Sequence, residues 1–322
     1  MPKLLITGAL GYIGSKLIRC LPTYNLVLVD NLCTQRYGSL FNLRAPIELV
    51  EADILTLPDV EWDRLLDGCT AVIHLAALTD AEASIRAPRR YREVNCVGTE
   101  KVAEACLRNN VPLLYPSTTS VYGPQTQPVD ETCSPHQYRM HSPYAQGKRH
   151  AELALLDEYG PRGLRFSILR CGTIVGAAPG IRFHTVCARF CWLARWGQPL
   201  TVWSGAWDEK RPYLVLTDAI RAFRWFLEQQ QFDGQIWNVV SANHSVGEIV
   251  GMIKEWMPNV QTVTVDSPLL NQLSYEVSPQ KLVDAGFEFR GQVRYGIMET
   301  LRLLGGMVGT DPALMWQLLH TK

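Results

Sequence analysis

Apolar residues gather along this chain in short unbroken runs rather than in long stripes. Lys3–Thr7, Asn25–Val29, Ile47–Val50, Ala71–Leu75, Leu113–Pro116 and Phe166–Leu169 are each four or five residues long and rich in Leu, Ile and Val. Such runs are apolar on both faces, as strands of a parallel sheet covered on each side by helices must be. Between them the spacing changes to a helical one, over Val97–Leu107 and Tyr144–Glu158. Strand and helix in alternation predict an α/β fold, a doubly wound parallel sheet of Rossmann type with right-handed crossovers. After about residue 172 the pattern loosens into short helices and Gly-Pro turns such as Gly176–Gly180 and Gly197–Pro199, while Ile236–Val240 reads as a strand returning to the sheet. The expected organisation is a nucleotide-binding domain over residues 1–172 and a smaller α/β substrate-binding domain over 173–322. Segments such as 236–240 would interleave with the first domain.

Composition narrows the class without naming a chemistry. Of 322 residues, 47% are apolar, enough for a large core, and Lys plus Arg equals Asp plus Glu at 31 each. A balanced charge offers no footprint for nucleic acid or an anionic membrane, and neither is expected as a partner. The cluster Arg86, Arg89, Arg90 and Arg92 reads as a solvated helix face. Nine widely spread cysteines contain no C-x-x-C pair, which predicts reduced thiols and no metal site. Cys187 and Cys191 lie in the apolar run Val186 to Leu193 and read as helical core. Leu4-Leu5-Ile6 begins too early to leave room for a signal peptide, and no later run has the length of a membrane span. A cytoplasmic location is expected.

The first turn carries the first chemical signal. Gly8-Ala9-Leu10-Gly11-Tyr12-Ile13-Gly14 follows the first strand and opens a helix. Glycines there allow a tight turn, close approach to a pyrophosphate and helix–strand packing, with the pyrophosphate facing free N–H groups. Asp30 closes the second strand, sixteen residues past Gly14. A carboxylate there accepts hydrogen bonds from the adenosine ribose and repels a 2′-phosphate, which predicts NAD rather than NADP. Asp53 with Ile54, read as ending the third strand, is the candidate partner of the adenine amino group.

A second signal lies at mid-chain. Ser142 and Pro143 are a helix cap and first-turn residue, and Tyr144 and Lys148 then share one helix face. Upstream, Pro116-Ser117-Thr118-Thr119-Ser120-Val121-Tyr122-Gly123 brings hydroxyls to a strand's carboxyl end, where open α/β sheets place their ligands. Together these segments resemble the extended short-chain dehydrogenase/reductases, the NAD-dependent epimerase/dehydratase family acting on nucleotide sugars. The matching pieces stand in family order: Gly8–Gly14, Val29-Asp30-Asn31-Leu32, Asp53-Ile54, His74-Leu75-Ala76-Ala77, Asn95 with Gly98-Thr99, Ser117–Gly123 and Tyr144–Lys148. In the second half Arg211-Pro212-Tyr213 and Ser278–Gly286 resemble later family segments more loosely.

That resemblance implies roles. Tyr144 would be the acid/base, Lys148 would hold the nicotinamide ribose, and Thr118 would be the third catalytic hydroxyl. Tyr12, Ile13, Asn31, Leu75, Ala76 and Ala77 would line the cofactor, with Asn95 fixing the geometry. Thr79, Thr119, Thr173, Arg182, Trp203 and Arg211 would face the substrate, Arg211 its diphosphate. For Tyr144 to act as a base, its pKa must fall from about 10 to about 7, roughly 4 kcal/mol, and the Lys148 ammonium is expected to help. Family dehydratases carry Asp-Glu after the threonine, where this chain has Thr119-Ser120; decarboxylases and 3,5-epimerases also differ there. The resemblance thus implies a nucleotide-sugar 4-epimerase working through a transient 4-keto sugar, with a C4 dehydrogenase or 4-ketoreductase as the alternative. A 4,6-dehydratase, a decarboxylase or a non-catalytic NAD-binding sensor fits these residues less well. Thr173 stands where the family has an asparagine, and Pro212 where it has an aspartate. Val97–Leu107 and Tyr144–Glu158 resemble the helices with which family members build homodimers.

Overall fold

The structure is a computed structural model and describes residues 1–44, 46–266 and 274–305. Its strands are, in chain order, β1 (Lys3–Thr7), β2 (Asn25–Asp30), β3 (Ile47–Glu51), β4 (Cys69–His74), β5 (Leu113–Thr118), β6 (Phe166–Cys171), β7 (Thr173–Val175), β8 (Leu200–Trp203), β9 (Lys210–Val215), β10 (Ile236–Val239), β11 (Ala242–Ser245) and β12 (Thr262–Val265). Seven of them form one sheet in the order β10-β6-β5-β4-β1-β2-β3, and every pair in it is parallel. β10 pairs with β6, so a strand from late in the chain closes one edge of a sheet otherwise built by the first half.

Residues alternate across this sheet as the two-residue period requires. Leu4, Ile6, Leu26 and Leu28 enter one core, Leu5, Val27 and Val29 the other. The first core is covered by the helices Tyr12–Leu17 and Leu216–Glu228, the latter inserting Phe223 and Phe226. The second is covered by Asp59–Leu66 and Gly98–Arg108, through Trp62, Val102 and Ala105. Beyond β6 a three-stranded sheet, β11-β9-β7, and a two-stranded one, β12-β8, carry their own core with the helices Val186–Arg195, Val246–Trp256 and Val293–Leu303. Cys187 and Cys191 are buried in it.

Several bounds differ from the sequence expectation, each for a local reason. β5 runs on to Thr118 because Ser117 and Thr118 stay in register with Arg170 and Cys171 of β6. β4 ends at His74, one residue before Leu75. Asp53 lies two residues beyond β3. The stretch expected as one helix from Val97 begins with a π turn over Glu93–Val97. The catalytic-segment helix is α-helical over Pro143–Leu153 and finishes in a second π turn, Ala154–Tyr159. Its start is fixed as the sequence requires: Ser142 Oγ accepts the Ala145 N–H at 3.2 Å, and Pro143 occupies the first turn.

Candidate active site

The carboxyl ends of β1, β2, β4, β5 and β6 open into one cleft of about 1020 Å³, the size of a cofactor site with room for more. At its floor the chain leaves β1 through Gly8, whose φ is +62°. A Cβ on Gly8 would lie 2.5 Å from the Ala76 nitrogen, and one on Gly14 would lie 2.4 Å from the Ala9 carbonyl oxygen. No larger residue fits this turn. Asp30 ties it down from β2: its Oδ2 accepts the Leu10 N–H and its Oδ1 the Leu32 N–H, both at 3.0 Å. Asp53 accepts from Asn31 Nδ2 at 3.0 Å and from the Leu55 N–H at 2.9 Å.

The next strand supplies a buried relay of polar groups. Thr7 Oγ1 and His74 Nδ1 are 2.7 Å apart, His74 Nε2 and Thr99 Oγ1 3.1 Å, and Thr7 Oγ1 also accepts the Ala76 N–H at 3.2 Å. Burial, then the Lys148 charge, push His74 down to about 3, so it is a neutral spacer. Asn95 is likewise committed. Its Oδ1 accepts the Leu78 N–H and its Nδ2 donates to the Leu78 carbonyl, both at 2.8 Å. It clamps the turn after β4 and does not itself line the cleft.

Opposite stand the mid-chain residues. Thr118, Ser120, Tyr144 and Lys148 all line the cleft, while Thr119 does not; its hydroxyl lies 3.4 Å from the Cys171 carbonyl and from the Tyr275 hydroxyl. Lys148 Nζ donates to the Pro116 carbonyl at 2.8 Å and sits 4.6 Å from the Tyr115 ring centroid. Burial lowers Lys148 to about 8. Burial also pushes Tyr144 up to about 12, with the Thr118 hydroxyl pulling the other way. Lys148 thus has one of its three donors committed to β5.

The far wall comes from the second half. Thr173, Arg182, Trp203 and Arg211 line the cleft, facing Thr79. Arg182 Nη1 donates to Thr79 Oγ1 at 3.1 Å, and Arg211 Nη2 is 3.1 Å from Glu209. The segment from Gly176 to Arg182 lies across the glycine turn. Tyr12 donates to the Gly176 carbonyl, Gly180 N–H donates to Ser15 Oγ at 2.9 Å, and Arg36 Nη1 donates to the Gly180 carbonyl at 2.8 Å. A Cβ on Gly180 would lie 2.4 Å from the Gly11 carbonyl oxygen. Arg36, His184, Gln198 and Tyr275 also line the cleft. They went unnoticed in the sequence because they sit in irregular segments with no spacing to mark them.

Residues 4–239 match the NAD dependent epimerase/dehydratase family. The chain belongs to that family. By its description that family is NAD dependent and takes in epimerases and dehydratases. It is 26% identical over 320 residues to a trifunctional UDP-glucose 4,6-dehydratase/UDP-4-keto-6-deoxy-D-glucose 3,5-epimerase/UDP-4-keto-L-rhamnose-reductase of Arabidopsis thaliana, covering 93% of this chain and 46% of that one. It is 32% identical over 188 residues to a UDP-glucose 4-epimerase of Azospirillum brasilense, covering 56% of this chain and 51% of the relative. The matched stretches thus span about half the length of these curated relatives. Among solved structures, the UDP-glucose 4-epimerase of Thermus thermophilus in complex with NAD superimposes with a TM-score of 0.81 at 25% identity, over 95% of this chain and 100% of that one. No helix among the described residues is long and apolar enough to cross a membrane.

Proposed function

We propose that the chain is a nucleotide-sugar 4-epimerase acting through a transient 4-keto sugar. The observation that carries this is the makeup of the wall around Thr118. Ser117, Thr118 and Ser120 line the cleft with Tyr144, the Ser117 hydroxyl being committed to Glu152, whereas Thr119 turns its hydroxyl inward. Among the described residues no carboxylate hydrogen-bonds Thr118, Ser120 or Tyr144. Loss of water from a 4-keto sugar calls for an acid and a base beside the reacting carbons, and a carboxylate at these hydroxyls would supply one; reduction of the ketone back to an alcohol needs none.

The residues fit NAD in a definite order. The turn Gly8, Gly11, Gly14 with Tyr12 and Ile13 holds the pyrophosphate, since glycine leaves its N–H groups open to close approach. Each Asp30 oxygen accepts one backbone N–H and keeps a lone pair for a ribose hydroxyl, with Asn31 beside it. Asp53 and Ile54 would meet the adenine, Leu75, Ala76 and Ala77 would line the path, and Lys148 would reach the nicotinamide ribose. A bound NAD would supply reversible hydride transfer at C4. Tyr144 takes the C4 hydroxyl proton and returns it, and Thr118 holds that hydroxyl in line. Arg211 and Arg182 keep the diphosphate in place through charge-assisted bonds while the keto sugar turns over. The family's dimer helices correspond to Gly98–Arg108 and Pro143–Leu153, so we place a homodimer there; a monomeric mass in light scattering would refute it.

The test incubates the purified protein with UDP-, dTDP-, GDP- and CDP-sugars without added NAD(P)H and identifies the products by NMR. A sugar inverted at C4 supports the epimerase. Stoichiometric NADH, or an accumulating ketosugar, replaces it with a C4 dehydrogenase.

A further inference from the structure

Behind the catalytic wall lies a second polar cluster that the reaction does not touch. Glu152 follows Lys148 by four residues and Tyr144 by eight, so all three share one helix face. Its side chain is fully buried, as is that of Arg170 on β6. Glu152 Oε1 accepts from Ser117 Oγ at 2.5 Å and from Arg170 Nε at 3.0 Å. Its Oε2 accepts from Arg170 Nη2 at 2.7 Å and from Arg149 Nη1 at 2.9 Å. Arg170 Nη1 donates to Tyr138 Oη at 3.0 Å, and the guanidinium carbon lies 4.7 Å from the Tyr122 ring centroid. Burial pushes the Glu152 carboxyl up, Arg170, Ser117 and Arg149 pull it down, and the pairing wins.

Stability alone does not call for such a pair. A buried ion pair loses so much hydration that well-packed apolar residues of the same size often replace it without loss. Its place in the fold is more telling. Lys148 holds the Pro116 carbonyl and Glu152 holds the Ser117 hydroxyl, so two successive residues of β5 are tethered to two successive turns of one helix. The next residue of the strand is Thr118. Arg170 sits opposite Ser117 in the β5–β6 register and passes the tether to β6.

We propose that Glu152 and Arg170 are positioning residues for the reaction, a buried pair that sets the end of β5 against the catalytic helix and so fixes Thr118 relative to Tyr144. This rests on the epimerase reading only for the identity of the reaction. The pair also acts on Lys148 as a charge. Lys148 is faced by Tyr144 and Glu152 from its own helix, by the Tyr115 ring and Pro116 carbonyl from β5, by Cys171 from β6 and by neutral His74 from β4. Burial favours the neutral amine, and Glu152 supports the ammonium. Removing that carboxylate moves the Lys148 titration to lower pH, so the cation is lost sooner as pH rises.

The test compares wild type with Ser117→Ala and with the double variant Glu152→Leu/Arg170→Met, which leaves neither charge of the pair alone. Turnover and KM are measured with whichever nucleotide sugar the wild type converts, and Lys148 is titrated by NMR in 13C-lysine-labelled protein. Ser117→Ala is expected to keep the melting temperature and KM while lowering kcat about tenfold, a loss of about 1.4 kcal/mol. The double variant is expected to lower kcat further, and Glu152→Gln, which removes the carboxylate and keeps its shape, to move the Lys148 midpoint down from about 8. If Ser117→Ala and the double variant retain wild-type kcat, the pair is structural only and the proposal falls. If the wild type converts no nucleotide sugar, the epimerase reading fails alone, and an unmoved Lys148 midpoint in folded Glu152→Gln overturns the action of the pair on the catalytic helix. Should the double variant not fold, Ser117→Ala decides.

Discussion

The two walls of the cleft treat their polar groups in opposite ways. On the wall built by the first half, Asp30, Asp53 and His74 are bound by backbone or side-chain partners within the protein. On the wall built by the second half, His184 Nδ1, Thr185 Oγ1, Gln198 Nε2 and the Tyr213 hydroxyl are buried without a hydrogen-bond partner among the described residues. All four line the same cleft. A buried polar group left unpaired costs about 1–3 kcal/mol, so a wall that carries several is built for a ligand that supplies the missing partners. The first wall is finished before anything binds, and the second is completed by what binds.

The strongest way to break this contrast is at the catalytic pair. Tyr144→Phe is expected to lower turnover by roughly a hundred- to ten-thousand-fold, as loss of a general acid/base does. NAD affinity, measured by calorimetry, should stay near wild type because the first wall is untouched. Full activity would sink the mechanism. Gly180→Ala acts next. Its methyl group would collide with the Gly11 carbonyl, at about 2 kcal/mol for such overpacking, and NAD should bind roughly 30-fold more weakly. Unchanged binding would mean that the glycine turn yields more easily than its contacts indicate.

Asp30→Ser is expected to weaken NAD about tenfold, in line with a charged hydrogen bond, and to narrow the gap to NADP. A wild type that already prefers NADP would reverse the assignment. The smallest effect belongs to the second wall. Arg211→Ala should raise KM about fivefold with kcat unchanged, since part of its charge is already met by Glu209 and exposed ion contacts are worth about 1 kcal/mol or less. An unmoved KM would make Arg211 a surface arginine.

The same contrast explains what could be read from the sequence. The turn from β1 to Gly14 and the pair Tyr144–Lys148 depend on neighbours within eight residues, and local spacing displays them. Thr118 and Thr119 look alike in the sequence, yet the chain enters a 3-10 turn after Thr118 and sends the Thr119 hydroxyl inward to Cys171 and Tyr275. Asn95 was expected to fix the geometry, but its partner Leu78 lies seventeen residues away and no periodicity reveals it. The bond from Lys148 to a carbonyl thirty-two residues away could not be read from local spacing. The second wall was the least legible. Gln198, His184 and Tyr275 come from loops whose meeting is decided by tertiary packing alone.

The close approach of Gly180 to Gly11 bears on how this part of the molecule can move. Two main chains that touch have no side chain to swing aside, so nothing at this point opens by a simple change of rotamer. The segment from Gly176 to Arg182 is held over the glycine turn by Tyr12, Ser15, Arg36 and Thr79 through Gly176, Gly180 and Arg182. For that segment to lift, these ties must part together, so its opening is a cooperative local event rather than a side-chain fluctuation.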